Sequence, residues 1–507
     1  MARGDGEHLA LAWVFVVSLV VSVVSWPLHY YGSDPVAVRE EARALLLTGR
    51  LDVGVPPSPW DRPGEYFVRN ERTGAWVSKY GLMATLAAVP PLAAEYVMTG
   101  ELPPLDSRDR LVLLNGWNTV LTVVAGLGLV RLAGLFTART WLMVAFALVS
   151  LFGTYLWNYT RAQSVELVQV TAGVWLVERL VRWMRGECGW WGAWLLVGVL
   201  VLTRVYFVVL VPAVWGAMVL AERRRWWLWT GCALLVGAVL AWVNYVKFGS
   251  PLLTGYHAFQ ASRHVPFGEG WDAGRAAWGF LVSAQKGVWW HFPPLMLAAV
   301  GAGAMWRRYR REAWLLAAWL LLGCGPLLTV PSWAGEWGYG PRYLAFALPV
   351  LAVPAVVWLD GLAERRGARF GAGCVLAAVL AAGGVYLNWQ VNRLEFFTGN
   401  TLRNPLRDLG PPSPEMGWHD DFAPYPGRAY FDRRPWGWIV RDIMASGGRL
   451  ERHPLEPVVR EVFGGPGSEG YEAFRVHLWV HYCNTNWYWR TWGRRFDDAR
   501  FRLPPDW

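Results

Sequence analysis

One carboxylate stands where the first apolar run of the chain ends. Leu9 to Leu28 is a run of twenty residues without a charge, and a helix of that length can cross the ~30 Å of hydrocarbon in a bilayer. Asp34 follows, and the amphipathic run after it predicts a helix that starts at Pro35 and lies along the membrane surface. A carboxylate here can act as a general base toward a substrate, or it can merely cap the helix. The stretch around Asp34 leaves both interpretations open.

A second unusual position is an arginine in the middle of an apolar run. Trp190 to Ala221 spans thirty-two residues, which is long for one membrane span, and Arg204 lies near its centre. A guanidinium in hydrocarbon is unfavourable unless it reaches water or an anion. We therefore predict a helical hairpin that turns at Arg204 on the outer side of the membrane, where the guanidinium can meet a substrate anion.

The composition around these residues is that of a polytopic membrane protein. The 507 residues are 54% hydrophobic and 17% charged, with a mean hydropathy of +0.23, which excludes a soluble enzyme. The formal net charge of +10 comes from Lys and Arg grouped in short loops between apolar runs. That pattern indicates cytoplasmic anchoring, so we expect no nucleic acid partner. The first run is predicted to be a retained signal anchor with the N-terminus in the cytoplasm.

The basic loops also predict the topology. If all of them are cytoplasmic, about eleven transmembrane helices result, counting the anchor. The segment from Tyr80 to Met98 then does not cross the bilayer, and its Pro90 and Pro91 favour a re-entrant or interfacial helix within a first extracytoplasmic loop at about residues 29–109. The basic groups are Arg131 with Arg139, Arg179 with Arg182 and Arg185, Arg223 to Arg225, Arg307 to Arg311, and Arg365 with Arg366 and Arg369.

A change in composition divides the chain near Leu387. Residues 388–507 are rich in charge, Pro, Gly and Trp and contain no apolar run long enough to span. Runs such as FRVHLWVHYC indicate strands. We predict an all-α polytopic membrane domain over residues 1–387 and a C-terminal soluble α+β domain over residues 388–507, which the span count places on the extracytoplasmic side.

The sequence shows no pattern typical of a metal site or a disulfide framework. Its five cysteines are scattered, without a C-x-x-C motif, and no D-x-D motif or His-rich cluster is present. His257 and His264 are interpreted as polar groups of a loop. We therefore predict that the protein uses no metal and no other cofactor.

Four stretches on the predicted outer side carry a family resemblance. They are Asp34 with its helix, VSKYGL around Lys79, KFGSPLLTGYHAF from Lys247, and WAGEWGYGPRYL ending at Leu344. In their order and spacing, over about residues 10–390, the chain resembles the GT-C superfamily of integral-membrane glycosyltransferases, in particular the bacterial protein O-mannosyltransferases and lipid A aminoarabinose transferases. The resemblance implies an enzyme of the bacterial cytoplasmic membrane that moves a sugar, with inversion, from a polyprenyl-phosphate donor to a hydroxyl of a protein, lipid or glycan acceptor.

The resemblance also implies roles for individual residues. Asp34 matches the proposed catalytic base, although relatives often have Asp-Glu where this chain has Asp-Pro. Glu166 matches a second acidic site, with Glu in place of the usual Asp, and Lys79, followed by Tyr80, corresponds to a lysine that approaches the lipid phosphate. Because the charge on the phosphate rises as its bond to the sugar breaks, cations should meet it. The candidates are Lys79, Arg161, Arg204, Arg342 and His291.

Structural and functional alternatives stay open at this stage. Glu166 could pair with Arg161, and Arg161 and Arg342 could extend their guanidiniums to lipid headgroups from the ends of spans. The whole protein could instead be a transporter or flippase of lipid-linked sugar, since such a protein also needs outer cations. A third class is an assembly subunit that has kept the fold without the chemistry.

Overall fold

The computed structural model describes residues 2–26, 33–54, 66–102, 111–161, 165–257, 273–283, 286–329 and 340–393, and from 438 to 475 with gaps. Within these ranges the regular secondary structure is helical except for one two-stranded antiparallel hairpin, β1 (Phe67–Arg69) with β2 (Trp76–Ser78). The helices are α1 (Ala2–Val24), α2 (Ser33–Thr48), α3 (Leu82–Thr99), α4 (Leu111–Gly134), α5 (Thr140–Phe152), α6 (Leu156–Arg161), α7 (Val165–Met184), α8 (Trp191–Thr203), α9 (Leu210–Ala221), α10 (Trp226–Phe248), α11 (Ala273–Val282), α12 (Val288–His291), α13 (Pro294–Arg308), α14 (Arg310–Ala318), α15 (Leu348–Leu351), α16 (Val353–Arg365), α17 (Ala368–Arg393) and α18 (Glu456–Phe463).

Long apolar helices confirm the predicted polytopic membrane class. Within the described ranges, six helices are long and apolar enough to cross a bilayer: α1, α3, α4, α10, α17, and α14 with the π and 3-10 turns that continue it to Leu328. Three shorter apolar helices run over Thr140–Phe152, Trp191–Thr203 and Val205–Ala221. Because these three are too short to be counted by length, the total of about eleven spans stays a prediction.

The interior of the bundle is built around α4 and α7. Helix α4 packs against α1, α5 and α7, and α7 packs in turn against α8. A second pair, α13 and α16, approaches so closely that a Cβ atom on Gly301 would lie 2.2 Å from the carbonyl oxygen of Pro354. Only glycine fits at such a crossing. One hydrophobic core cluster includes buried residues from most of the described helices.

The outer segment between α1 and α4 folds as two helices with a hairpin between them. Helix α2 begins at Ser33, two residues before the predicted start at Pro35, and packs along α3. Helix α3 continues through Pro90 and Pro91 without a break and is apolar enough to cross. The prolines thus do not interrupt it, and the proposal that this segment is re-entrant or interfacial stays a prediction.

Four of the five basic groups meet at one end of the bundle. Arg139 and Arg308 approach Asp360 at 3.3 and 3.5 Å, and Arg308 also donates to Glu364, beside Arg365, at 2.9 Å. Arg185 donates to Glu312 at 2.8 Å, next to Arg311. Such contacts are what a common cytoplasmic side requires of these loops.

In the described part of the C-terminal region, the regular secondary structure is helical. It includes a 3-10 turn at Leu450–Arg452 and helix α18. Helix α17 runs past the predicted boundary at 387 and ends at Arg393. The predicted FRVHLWVHYC strand falls almost wholly outside the described residues, so the α+β domain over residues 388–507 stays a prediction.

Candidate functional site

Residues Lys79 to Gly81, here the Lys79–Gly81 turn, connect β2 to α3 and are held by close backbone packing. A Cβ atom on Gly81 would lie 2.2 Å from the carbonyl oxygen of Leu202, at the end of α8. On the other side, a Cβ atom on Gly255 would lie 2.3 Å from the carbonyl oxygen of Lys79. A side chain at either glycine would displace the turn. The packing therefore fixes Lys79 beside the C-terminal end of α8. Arg204 is the first residue after this helix.

A buried ion pair contacts this turn through the carbonyl oxygen of Tyr80. The Lys247 ammonium, at the end of α10, donates to Glu41 Oε2 of α2 at 2.8 Å and to the carbonyl oxygen of Tyr80 at 2.5 Å. Glu41 also accepts hydrogen bonds from the backbone N–H of Ser78, at 3.1 Å, and from the hydroxyl of Thr85. Both charged side chains are 0% exposed. One network thus joins α2, β2, the turn, α3 and α10.

The environment of Glu41 acts on its ionisation in two directions. Burial is the largest influence and raises the pKa of the Glu41 carboxyl, while the Lys247 ammonium and the hydrogen bonds from Lys247, Thr85 and Ser78 lower it. The ionised form of Glu41 therefore depends on donors that belong to three other parts of the chain.

An apolar cleft opens beside the Lys79–Gly81 turn. Val201 and Leu202 of α8 and Leu240 and Val243 of α10 form much of its wall, and its cavity volume is about 20 Å³. The polar groups that line it include Lys79, Lys247 and the Tyr80 and Tyr256 side chains, whose rings meet edge to face at 6.5 Å. The Lys79 ammonium lies over the Tyr66 and Tyr80 rings, 5.3 and 5.4 Å from their centroids. The cleft is apolar in its wall and cationic at Lys79.

Arg204 is paired with Glu166. Its Nη2 donates to Glu166 Oε1 at 2.6 Å, and the two side chains are 3% and 4% exposed. The guanidinium also lies 5.3 Å from the centre of the Tyr343 ring, and Arg342 lies 5.2 Å from the same ring. Two guanidiniums are therefore gathered around one phenol, with one carboxylate beside them.

Arg161 and His291 lie in structural positions. Arg161 Nε donates to the carbonyl oxygen of Ser25 at 2.6 Å, and Nη1 donates to the carbonyl oxygen and Oδ1 of Asn392 at 2.9 and 2.8 Å. These bonds join the end of α1 to the end of α17. His291 Nδ1 donates to the carbonyl oxygen of Gly287 at 2.9 Å. Among the predicted site residues whose side chains the structure describes, Lys79 and Tyr80 line the cleft. Arg161 and His291 do not line it, and neither do Glu166, Arg204 and Arg342.

Asp34 lies in the first turn of α2, and the surroundings of its side chain lie outside what the structure describes. The same holds for most of the WAGEWGYGPRYL stretch, of which only the part from Gly340 is described. The network of Glu41 and Lys247 was missed by sequence reasoning. Its one signal was a lysine at the end of a long apolar helix, since such a charge needs a partner.

Comparisons with known proteins returned solved structures only, since no family model and no curated protein matches. The archaeal oligosaccharyltransferase AglB from Archaeoglobus fulgidus, solved with an inhibitory peptide and a dolichol-phosphate, is 12% identical, with a TM-score of 0.47 over 80% of this chain. ArnT from Cupriavidus metallidurans, bound to undecaprenyl phosphate, is 14% identical, with a TM-score of 0.41 over 95% of this chain and 77% of ArnT. The chain spans 58% of the length of AglB.

Proposed function

We propose that the chain is a membrane glycosyltransferase that moves a sugar, with inversion, from a polyprenyl-phosphate donor to an acceptor hydroxyl on the extracytoplasmic face. The observation that supports this most strongly is the ammonium of Lys79 at the edge of the apolar cleft between α8 and α10. A polyprenyl phosphate has the matching chemistry, because it carries an anionic head on an apolar chain. The acceptor is a protein, a lipid or a glycan.

The cleft supplies the two parts of the donor with different surroundings. The half-buried Leu202, Val205 and Leu240 offer apolar surface to the prenyl chain, while Lys79 offers the phosphate a charge-assisted hydrogen bond. The Tyr66 and Tyr80 rings beneath the ammonium hold it in place. Only 9% of Lys79 is exposed, so its charge is screened less than that of a surface lysine.

In the proposed reaction one bond forms and one breaks at the anomeric carbon. The acceptor oxygen attacks from the side opposite the phosphate, Asp34 takes the acceptor proton, and the sugar–oxygen bond to phosphate breaks with its electron pair on the phosphate. One base is enough for inversion. Since phosphate is already a good leaving group, a second carboxylic acid is not required. Lys79 lines the cleft and stabilises the charge that develops on the phosphate. Arg204 and Arg342 lie outside the cleft lining and are proposed to meet the phosphate when the donor is bound.

The remaining candidates receive supporting roles in this proposal. Glu166 accepts the hydrogen bond from Arg204 and so orients its guanidinium, which makes Glu166 a positioning residue. Arg161 joins α1 to α17 through Ser25 and Asn392. His291 holds the short helix α12 through its bond to the Gly287 carbonyl.

The experiment that tests this function follows a labelled polyprenyl-phosphate sugar in sealed vesicles containing the purified protein. A glycosyltransferase consumes the donor, releases polyprenyl phosphate and labels an added acceptor. A transporter moves the intact donor between leaflets without consuming it, and an assembly subunit does neither. Intact donor after prolonged incubation with acceptor extracts would contradict the proposal.

A further inference from the structure

We propose that the buried Glu41–Lys247 pair is a positioning device that fixes α2, and the Asp34 position on it, relative to the Lys79–Gly81 turn. This inference rests on the proposed function, since it assigns the pair to the same site. Lys247 is among the residues around the cleft, but its side chain and that of Glu41 are 0% exposed. The pair acts through the elements that it holds.

Several elements of the fold meet at the Lys247 ammonium. Lys247 Nζ belongs to α10 and donates both to Glu41 of α2 at 2.8 Å and to the Tyr80 carbonyl of the turn at 2.5 Å. Glu41 in turn accepts from Ser78 of β2 at 3.1 Å and from Thr85 of α3. Removing the ammonium therefore takes one donor from the surface helix and one from the turn at the same time.

Glu41 and position 34 lie on one face of α2. Positions 34 and 41 are seven residues apart, which is about two turns of an α-helix, so they lie along the same face. A rotation of α2 about its axis would move both positions together. With Glu41 held by Lys247, Ser78 and Thr85, the rotation of α2 about its axis is fixed, and position 34 belongs to the same face of that helix as Glu41.

The Glu41–Lys247 pair is charged although it is buried. A buried ion pair is weak support for stability, because desolvation of both charges offsets their attraction and apolar replacements are often as stable. Its attested use is to select one arrangement over others. Glu41 and Lys247 have side-chain exposures of 0%, and the arrangement that they select contains the proposed base and the proposed phosphate cation. Positioning thus explains the pair better than stability does.

The test replaces both charges at once in the full-length protein. In the double variant Glu41→Gln with Lys247→Met no unpaired charge is left, so we expect thermal unfolding close to that of the wild type. We expect kcat/KM for the donor to fall by about 100-fold, since small displacements of reacting groups have effects of that size. We also expect faster hydrogen–deuterium exchange in residues 36–48 and 76–81. Wild-type kcat/KM and wild-type exchange would overturn the proposal.

The chain offers a matched control at the other end of the bundle. Arg185 also joins a carboxylate to a carbonyl, donating to Glu312 at 2.8 Å and to the Leu135 carbonyl at 2.7 Å. The double variant Arg185→Met with Glu312→Gln should keep wild-type kcat/KM and wild-type exchange in residues 36–48. An equal loss of kcat/KM in this control would show that any broken pair has the effect, and would overturn the proposal.

Failure of the proposed function can be distinguished from failure of this inference. If the wild type consumes no donor, the function is wrong, and exchange in residues 36–48 still decides whether the pair orders α2. If the double variant cannot be purified, Thr85→Val takes its place, because it keeps both charges and removes one donor to Glu41. Exchange unchanged in Thr85→Val would then overturn the proposal.

Discussion

Arg204 shows how a buried partner changes the role of a single residue. The sequence indicates a guanidinium that reaches a substrate anion, because an arginine within an apolar run needs a counter-charge. The structure supplies a counter-charge from the protein itself, Glu166 at 2.6 Å. Glu166 was expected to pair, if at all, with Arg161, which instead bonds to Ser25 and Asn392. Whether Glu166 pairs with Arg161 or with Arg204 depends on how α7 packs against α8. The spacing of residues in the sequence does not contain that information.

A first prediction follows from this pair. Arg204→Ala leaves the Glu166 carboxylate buried without its cation, so we expect the free energy of unfolding to fall by about 3–5 kcal/mol. Arg204→Met combined with Glu166→Gln should recover most of that loss and still bind the donor more weakly than the wild type. Thermal unfolding and donor titration measure the two effects. A single variant as stable as the wild type would show that the pair does not hold α7 to α8.

A second prediction concerns pH and His453. Burial lowers the pKa of this imidazole to about 4, with a smaller opposing effect of Asp442, and Nδ1 accepts a hydrogen bond from the backbone N–H of Leu455 at 3.1 Å. The folded state therefore binds the proton more weakly than the unfolded state. The stability that the neutral, buried His453 provides is present above pH 6.5 and is lost as the pH falls toward 4. The difference between the two pKa values corresponds to roughly 3 kcal/mol of unfolding free energy.

Hydrogen–deuterium exchange of residues 449–475 at pH 7.5 and pH 5, corrected for intrinsic rates, measures this effect. We expect lower protection at pH 5 in the wild type and a smaller difference in His453→Gln. Equal protection of the wild type at both values would contradict the prediction.

At the scale of elements, the sequence predicts helices well and their contacts poorly. The apolar run before Trp26 and the amphipathic run after Asp34 predict α1 and α2 because periodicity is a local property. Pro90 and Pro91 lie within one helix, α3, and do not interrupt it, so the re-entrant or interfacial helix stays a prediction. The pairing of Glu41 with Lys247 joins residues about 200 positions apart, and no local pattern encodes it.

A third prediction tests the backbone contact that holds the Lys79–Gly81 turn. Gly81→Ala would place a Cβ atom 2.2 Å from the Leu202 carbonyl oxygen, so the turn must move, and we expect the KM for the donor to rise at least tenfold. Gly198→Ala in α8 is the control, because nothing lies within 4 Å of its added Cβ. It should be neutral or stabilise the helix by up to about 1 kcal/mol. Equal KM values for the two variants would contradict the assigned contact.

At the scale of the whole molecule, topology depends on α3. This helix is long and apolar enough to cross, yet it packs along α2, and Ala84 and Leu92 of α3 belong to the same hydrophobic clusters as Ala37 and Ala42 of α2. If α2 lies on the membrane surface, a neighbour that follows it so far also lies near the surface. The basic loops at the other end of the bundle agree with this arrangement, since they require α3 not to cross.

A fourth prediction makes this testable. In a variant without native cysteines, Glu101→Cys should react with a membrane-impermeant maleimide added outside intact cells, because Glu101 is exposed and follows α3. A cytoplasm-only reporter fused after Trp507 should stay inactive. Labelling of Glu101→Cys only after permeabilisation would show that α3 crosses, and the topology would have to be redrawn.

The most direct test of the account compares wild type with Asp34→Asn for turnover of a labelled polyprenyl-phosphate sugar. Asn caps a helix about as well as Asp, so loss of a cap alone should change stability by at most a few tenths of a kcal/mol. It cannot accept a proton. If Asp34 is the general base, turnover should fall by about 10² to 10⁴ while expression and thermal unfolding stay at wild-type levels. Near-normal turnover by Asp34→Asn would leave Asp34 as a helix cap and would contradict the proposed mechanism.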